Sequence, residues 1–167
     1  MASDPARLQH ALGVAYRYLS RRERTTREVR NQLEHNAVEP AVADEAIAIL
    51  SDDGYLDDVR FARLFSQDKR ELEQWGTERI RQRLLARGVD RDAIAAALAD
   101  GGAASGPDQP ASELERALSV LGRRFPSPPQ NRRERDRALG TLIRKGYDPE
   151  LALEALSAYA RGGGLDD

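Results

Sequence analysis

The sequence predicts an all-α protein, an elongated array of three tandem three-helix modules. Three observations carry that prediction. Apolar residues recur at the 3–4 spacing of an amphipathic helix from end to end, and no stretch alternates as a half-buried strand would. One block of positions recurs three times: Leu33, Leu84 and Leu142; then Ala37, Gly88 and Gly146 at a turn; then Val38, Val89 and Tyr147; then Glu39, Asp90 and Asp148, at constant offsets of 51 and 58 residues. Aromatic residues make up only 5% of the chain, so the core must be built mainly of Leu, Ile, Val and Ala. Modules with such thin cores have to lean on one another.

After a short tail over residues 1–7, the first module spans 8–56. Leu8, Leu12, Ala15 and Leu19 form the stripe of its first helix, with Tyr16 and Tyr18 widening or flanking it. Arg17, Arg21, Arg22 and Arg24 crowd the C-terminal end, where cations suit the helix dipole. Thr25 or Thr26 caps the second helix with Glu28 placed for a capping box, and Val29 and Leu33 are its buried positions. Glu39-Pro40 opens the third helix, Pro taking the first helical position. Its apolar residues are Val42, Ala46, Ile49 and Leu50. Gly54 supplies the left-handed stop, and Tyr55 and Leu56 fold back as a plug.

The second module spans 57–100. Asp57 or Asp58 caps a helix expected to bury Phe61, Phe65 and Leu72. Trp75-Gly76 breaks the chain and Thr77 caps the helix that follows. There Ile80 and Leu84 face inward while Arg79, Arg83 and Arg87 share the opposite face at i, i+4 spacing. Gly88 stops it, Asp90 caps, and Ile94, Ala97 and Leu98 line a short Ala-rich helix. Residues 101–111, rich in Gly, Pro, Ala and Ser, predict a flexible linker. The third module spans 112–160: Leu114, Leu118, Leu121 and Phe125, then three prolines, then the basic run Arg132, Arg133, Arg135 and Arg137. Leu139, Leu142 and Ile143 form its next apolar face, Gly146 stops that helix, and Asp148-Pro149 opens the last one. Residues 161–167 read as a frayed tail.

Composition excludes several function classes. The chain has 167 residues, 40% hydrophobic and 32% charged, as a folded soluble protein does. With no cysteine, disulfides, thiolate catalysis and Cys-based metal sites are excluded. MASDPARLQH has no apolar signal core and no apolar run is long enough to span a membrane, so a cytoplasmic protein is expected. Net charge is −2, unevenly spread: residues 1–58 carry seven Arg against eleven acids, and residues 59–100 carry nine basic groups against seven acids. Nearly every basic residue is Arg, whose planar fork suits phosphate and carboxylate.

His10 and His35 have no second ligand at metal spacing, and no phosphate-binding Gly-rich loop or HExxH motif occurs. SDDGYLDD is a helix stop and start rather than a calcium loop, because an EF-hand glycine at Gly54 would put Ile49 where a carboxylate is required. No enzyme activity, cofactor or metal is expected.

Three places could meet a partner. Arg79, Arg83 and Arg87 form either a binding face or a solvated face paired with nearby acids. Trp75 is either a plug beside Gly76 or a partner-binding anchor. The Arg132–Arg137 run is either a phosphate contact or a solvated loop.

At GYLDDVRFA (Gly54–Ala62), QWGTERIRQRLLARGV (Gln74–Val89) and YLSRRERTTREV (Tyr18–Val29), the sequence resembles the RecX family, bacterial regulators of the RecA recombinase. The likeness spans nearly the whole chain, the first two motifs being specific in combination and the third module matching more loosely. The resemblance implies three tandem three-helix repeats. It also implies binding to RecA and to its filament on single-stranded DNA, inhibition of ATP hydrolysis and strand exchange, and so a role in the control of recombination, repair and the SOS response. A monomer that also binds DNA weakly is expected. The other class is a DNA-binding protein with tandem helix-turn-helix-like modules, which read bases with their second helix. The candidate reading helices, AVADEAIAIL and RDAIAAALAD, carry few base-reading donors.

Overall fold

The computed structural model describes residues 3–99 and 112–162. Every regular element among them is a helix: α1 Pro5–Leu19, α2 Thr26–His35, α3 Pro40–Asp52, α4 Asp58–Leu72, α5 Thr77–Ala86, α6 Arg91–Ala99, α7 Glu113–Arg124, α8 Arg132–Lys145 and α9 Pro149–Gly162. The chain is thus an all-α helical array. The linker expected at 101–111 and residues 163–167 lie outside the described residues. Two tail boundaries move: α1 starts at Pro5, where Asp4 accepts the Ala6 N–H, and α9 includes Arg161.

The helix starts follow from their capping chemistry. Thr25 and Glu28 make the full capping box on α2, and Ser112 with Glu115 repeats it on α7. Each such cap stabilises its helix by about 1 kcal/mol. Asp57 rather than Asp58 caps α4, accepting from the Arg60 N–H at 3.0 Å, and Asp90 does the same for Ala93 on α6 at 2.8 Å. Asp58 instead accepts both the N–H and the hydroxyl of Thr26.

The helices cluster into two compact units, residues 1–63 with 84–94 and residues 64–83 with 95–167. In the first, Ala11, Val14 and Ala15 of α1 pack with Val29 and Leu33 of α2, Val42, Ala46 and Leu50 of α3, and Leu56. Leu56 is the buried half of the expected plug. Tyr55 stays half exposed, its ring edge-on to Tyr16 at 5.2 Å. In the second, Ala117 and Leu121 of α7 pack with Ala138 and Leu142 of α8, Tyr147, and Ala152, Ala155 and Leu156 of α9.

The repeat is visible in backbone geometry. Leu33, Leu84 and Leu142 are each fully buried, and the turn residues Ala37, Gly88 and Gly146 all take positive φ, at 56°, 87° and 95°. The inward faces differ from expectation at two places. Leu72 is 80% exposed, because α4 ends there and the chain leaves through Gln74 at φ 54°. On α8 the buried positions are Ala138, Thr141 and Leu142, while Ile143 is 40% exposed, one helical step (100°) past Leu142.

Candidate partner-facing arginines

The three arginines of α5 do not form one free face. Arg87 belongs to the first unit, where Nε and Nη2 donate to the carboxylate of Glu28 at 2.8 and 3.0 Å. Its guanidinium also lies 4.6 Å from the centroid of the Phe61 ring, and the Thr25 hydroxyl donates to its backbone carbonyl at 2.7 Å. Both side chains of the pair are only about a fifth exposed. Such bidentate, charge-assisted bonding is a structural anchor.

Arg79 belongs to the second unit and stacks on Trp75, its guanidinium 4.0 Å from the ring centroid. Arg83 remains exposed, with no ion pair among the described residues. The i, i+4 spacing was legible in the sequence, but the acid opposite Arg87 lies 59 residues away along the chain.

Trp75 is 6% exposed. Phe65 meets it edge-on at 6.3 Å, and Lys69 Nζ stands 4.8 Å from its centroid. It is a plug within its unit rather than an open anchor. Lys69 also bonds to Glu73, which, together with the nearby charges of Arg79 and Lys145, draws the Glu73 carboxyl below its ordinary range.

The α5 start departs from expectation. Thr77 is the first helical residue, and its N–H donates to Glu113 at 2.6 Å. The Gly76 and Glu78 N–H groups donate to the backbone carbonyls of Lys145 and Gly146 at 2.8 and 3.0 Å. The α8–α9 turn therefore caps α5. Tyr147 completes this joint, its hydroxyl donating to the Gln74 carbonyl at 2.8 Å, and burial pushes its pKa up to about 12. Arg70 donates to the Thr77 hydroxyl, and its pKa is lowered by burial and by the charge of Arg116.

Arg132, Arg133, Arg135 and Arg137 are not in a loop. They occupy the first half of α8, and all four are exposed. Arg132 makes a long contact with Asp136 at 3.9 Å; the other three side chains form no ion pair among the described residues. Glu134 is committed to the helix start, accepting from Asn131 Nδ2 and the Gln130 N–H. His10 and His35 are exposed, and among the described residues no cluster of three metal-ligating side chains occurs. No described helix is long and apolar enough to cross a membrane.

Comparison with known proteins matches residues 11–50 to the first three-helix domain of RecX and residues 57–98 to the second. The regulatory protein RecX of Leptothrix cholodnii is 31% identical over 93% of this chain and 92% of that protein. The regulatory protein RecX of Xanthomonas campestris pv. campestris is 33% identical over 84% of this chain and 80% of its own. In fold, the crystal structure of RecX from Lactobacillus salivarius is similar with a TM-score of 0.78 at 18% identity, covering 92% of this chain and 97% of that one.

Proposed function

The chain belongs to the RecX family, and from that premise we propose that it is a regulator that binds the RecA recombinase and its filament on single-stranded DNA. It acts as a monomer and a non-enzymatic binder, inhibiting ATP hydrolysis and strand exchange, and thereby controls recombination, repair and the SOS response in the cytoplasm. The observation that carries this reading is the likeness, over most of both chains, to curated relatives named as regulatory RecX proteins.

In this reading the modules at 8–56, 57–100 and 112–160 present separate patches to the filament. The exposed Arg83 and the four arginines at the start of α8 are the contacting cations. Arg79 and Trp75 pack within their own module, and Arg87 is held by Glu28 of the first module.

Direct binding tests it. Surface-immobilised filaments of the cognate RecA on oligo(dT) with a non-hydrolysable ATP analogue should capture the protein, and Arg83→Glu should weaken capture without lowering the melting temperature. Absence of capture at micromolar protein would defeat the reading.

A further inference from the structure

Lysine is almost absent from this chain. Of its 26 basic residues only Lys69 and Lys145 are lysines, and they carry its only side-chain amines. Both amines bond to the same residue of the second unit, Glu73. Lys69 Nζ donates to the Glu73 carboxylate, and Lys145 Nζ, 72 residues away along the chain, donates to the Glu73 backbone carbonyl at 2.8 Å. Lys69 Nζ also stands 4.8 Å from the centroid of the Trp75 ring and 5.6 Å from that of Phe65. The charge of Arg79 bears on the same carboxylate, so three cations surround one acid.

The turn these amines hold is strained. Gln74 has φ 54°, a left-handed conformation that a glutamine keeps only where its surroundings impose it. Lys145 grips the turn on both sides of Gln74: its amine bonds to Glu73, and its own backbone carbonyl accepts the Gly76 N–H at 2.8 Å. The Tyr147 hydroxyl donates to the Gln74 carbonyl, and Gln74 Nε2 donates to the Ser119 hydroxyl. At Gly76 an added Cβ would lie 2.4 Å from the Gly146 backbone, so the two turns meet main chain to main chain. The lysines stay within reach of a small reagent, since the Lys69 side chain is 27% exposed and Lys145 is half-buried.

We propose that Lys145 and Lys69 are acylation sites, and that transfer of an acetyl group from a small activated donor to them releases the 73–76 turn from the α8–α9 turn. This goes beyond the proposed function and does not depend on it. The ammonium first gives a proton to water. The neutral amine then attacks the acetyl carbonyl carbon of an acyl phosphate; the N–C bond forms as the C–O bond to phosphate breaks, and the amine's second proton leaves with the phosphate. An acyl thioester reacts in the same way, with the thiol as leaving group. Arginine keeps its proton and is not a target, so amine-directed chemistry on side chains falls entirely on this one joint. The amide product carries no charge and a single N–H. It loses the cation held against Trp75 and the charged donors to Glu73, and Gln74 is then free to relax.

The test treats the full chain with acetyl phosphate and, separately, with acetyl-coenzyme A. Occupancy at each lysine is read by peptide mass spectrometry, and Trp75 emission is followed beside it. Emission should move to longer wavelength in proportion to occupancy, and the melting temperature should fall by about 2–4 °C with far-UV circular dichroism unchanged. Lys145→Arg with Lys69→Arg keeps both charges and accepts no acetyl group, so the same treatment should leave its emission where it was. Lys145→Gln should show the red shift with no reagent added. The donor that labels the lysines identifies the source of the acetyl group.

Lysines left unmodified by both donors, under conditions that acetylate the free N-terminal amine, overturn the proposal. So does full acetylation with unchanged Trp75 emission, which would leave the turn docked without the charges. Loss of helical signal along with the emission shift also overturns it, because the chain would then be unfolding rather than releasing one turn. With no recombinase in the assay, none of these failures touches the RecA reading, and absence of filament capture would not touch this one.

Discussion

Arg87 and Glu28, 59 residues apart in sequence, form a two-bond ion pair at 2.8 and 3.0 Å that ties the end of α5 to the start of α2. Glu28 is at once the reciprocal partner in the Thr25 capping box, so one carboxylate holds a helix start and a distant turn. Arg87→Ala should destabilise the protein by about 2 kcal/mol, since it leaves a partly buried carboxylate without its charged donor. For a chain of this size that lowers the melting temperature by about 4–8 °C. The double variant with Glu28→Gln should be less destabilised than the sum of the two single changes. Arg83→Ala, on the same helix but exposed, should shift stability by less than about 0.5 kcal/mol.

The turn glycines should respond unequally. At Gly146 a Cβ would stand 2.2 Å from Arg79 Cβ, and at Gly88 2.3 Å from Arg27 Cδ, both at positive φ. Backbone strain of about 1–3 kcal/mol is then joined by a clash that displaces the docked helix start. Ala37 holds the equivalent turn at φ 56° with an alanine already in place. Gly146→Ala should therefore cost clearly more than about 2 kcal/mol in denaturant unfolding, whereas Ala37→Gly should stay within about 1 kcal/mol of the parent.

Trp75 is the chain's single tryptophan, which makes its surroundings directly observable. Buried between Phe65 and the cations of Lys69 and Arg79, it should emit at short wavelength in the native protein and shift to the red on unfolding. Arg79→Ala should shift native emission to the red and cost about 1 kcal/mol of cation–π and packing energy.

Tyr147 gives the fold a weakness at alkaline pH. Its phenol is neutral and buried in the fold, with the pKa raised from 10.0 to about 12. Its contribution is therefore fully present below pH 10, where the unfolded phenol is also neutral. It is lost as pH rises between about 10 and 12, because the unfolded state releases the proton first. Tyr147→Phe should remove that step from a plot of stability against pH. It should also cost about 1 kcal/mol at neutral pH through loss of the hydroxyl bond to Gln74.

Local pattern made most of the fold legible. The Thr25–Glu28 capping box, the Pro40 start, the Gly54, Gly88 and Gly146 stops and the buried leucine at 33, 84 and 142 are all short-range signals, and all hold. What was not legible depended on distant chain. The spacing of Arg79, Arg83 and Arg87 describes a helix face correctly, yet Glu28 and Trp75 decide which of them is free. Thr77 fits the local pattern of a cap for α5, whereas the true cap, the carbonyls of the 145–146 turn, leaves no mark in the local sequence. Leu72 fits the spacing of a core position, and only the end of α4 shows it exposed. Arg132–Arg137 lie between a proline cluster and an apolar stripe, a setting that leaves a phosphate contact and a solvated loop both open, and helix entry at Asn131 places them on α8 rather than in a loop.

The most direct test of the proposed function is ATP hydrolysis by the cognate RecA on single-stranded DNA, titrated with this protein at two salt concentrations. A regulator acting on the filament should inhibit below the recombinase concentration, and at the higher salt it should still do so. Hydrolysis that stayed at the uninhibited rate, or inhibition that vanished at higher salt together with binding to bare DNA, would contradict direct action on the filament.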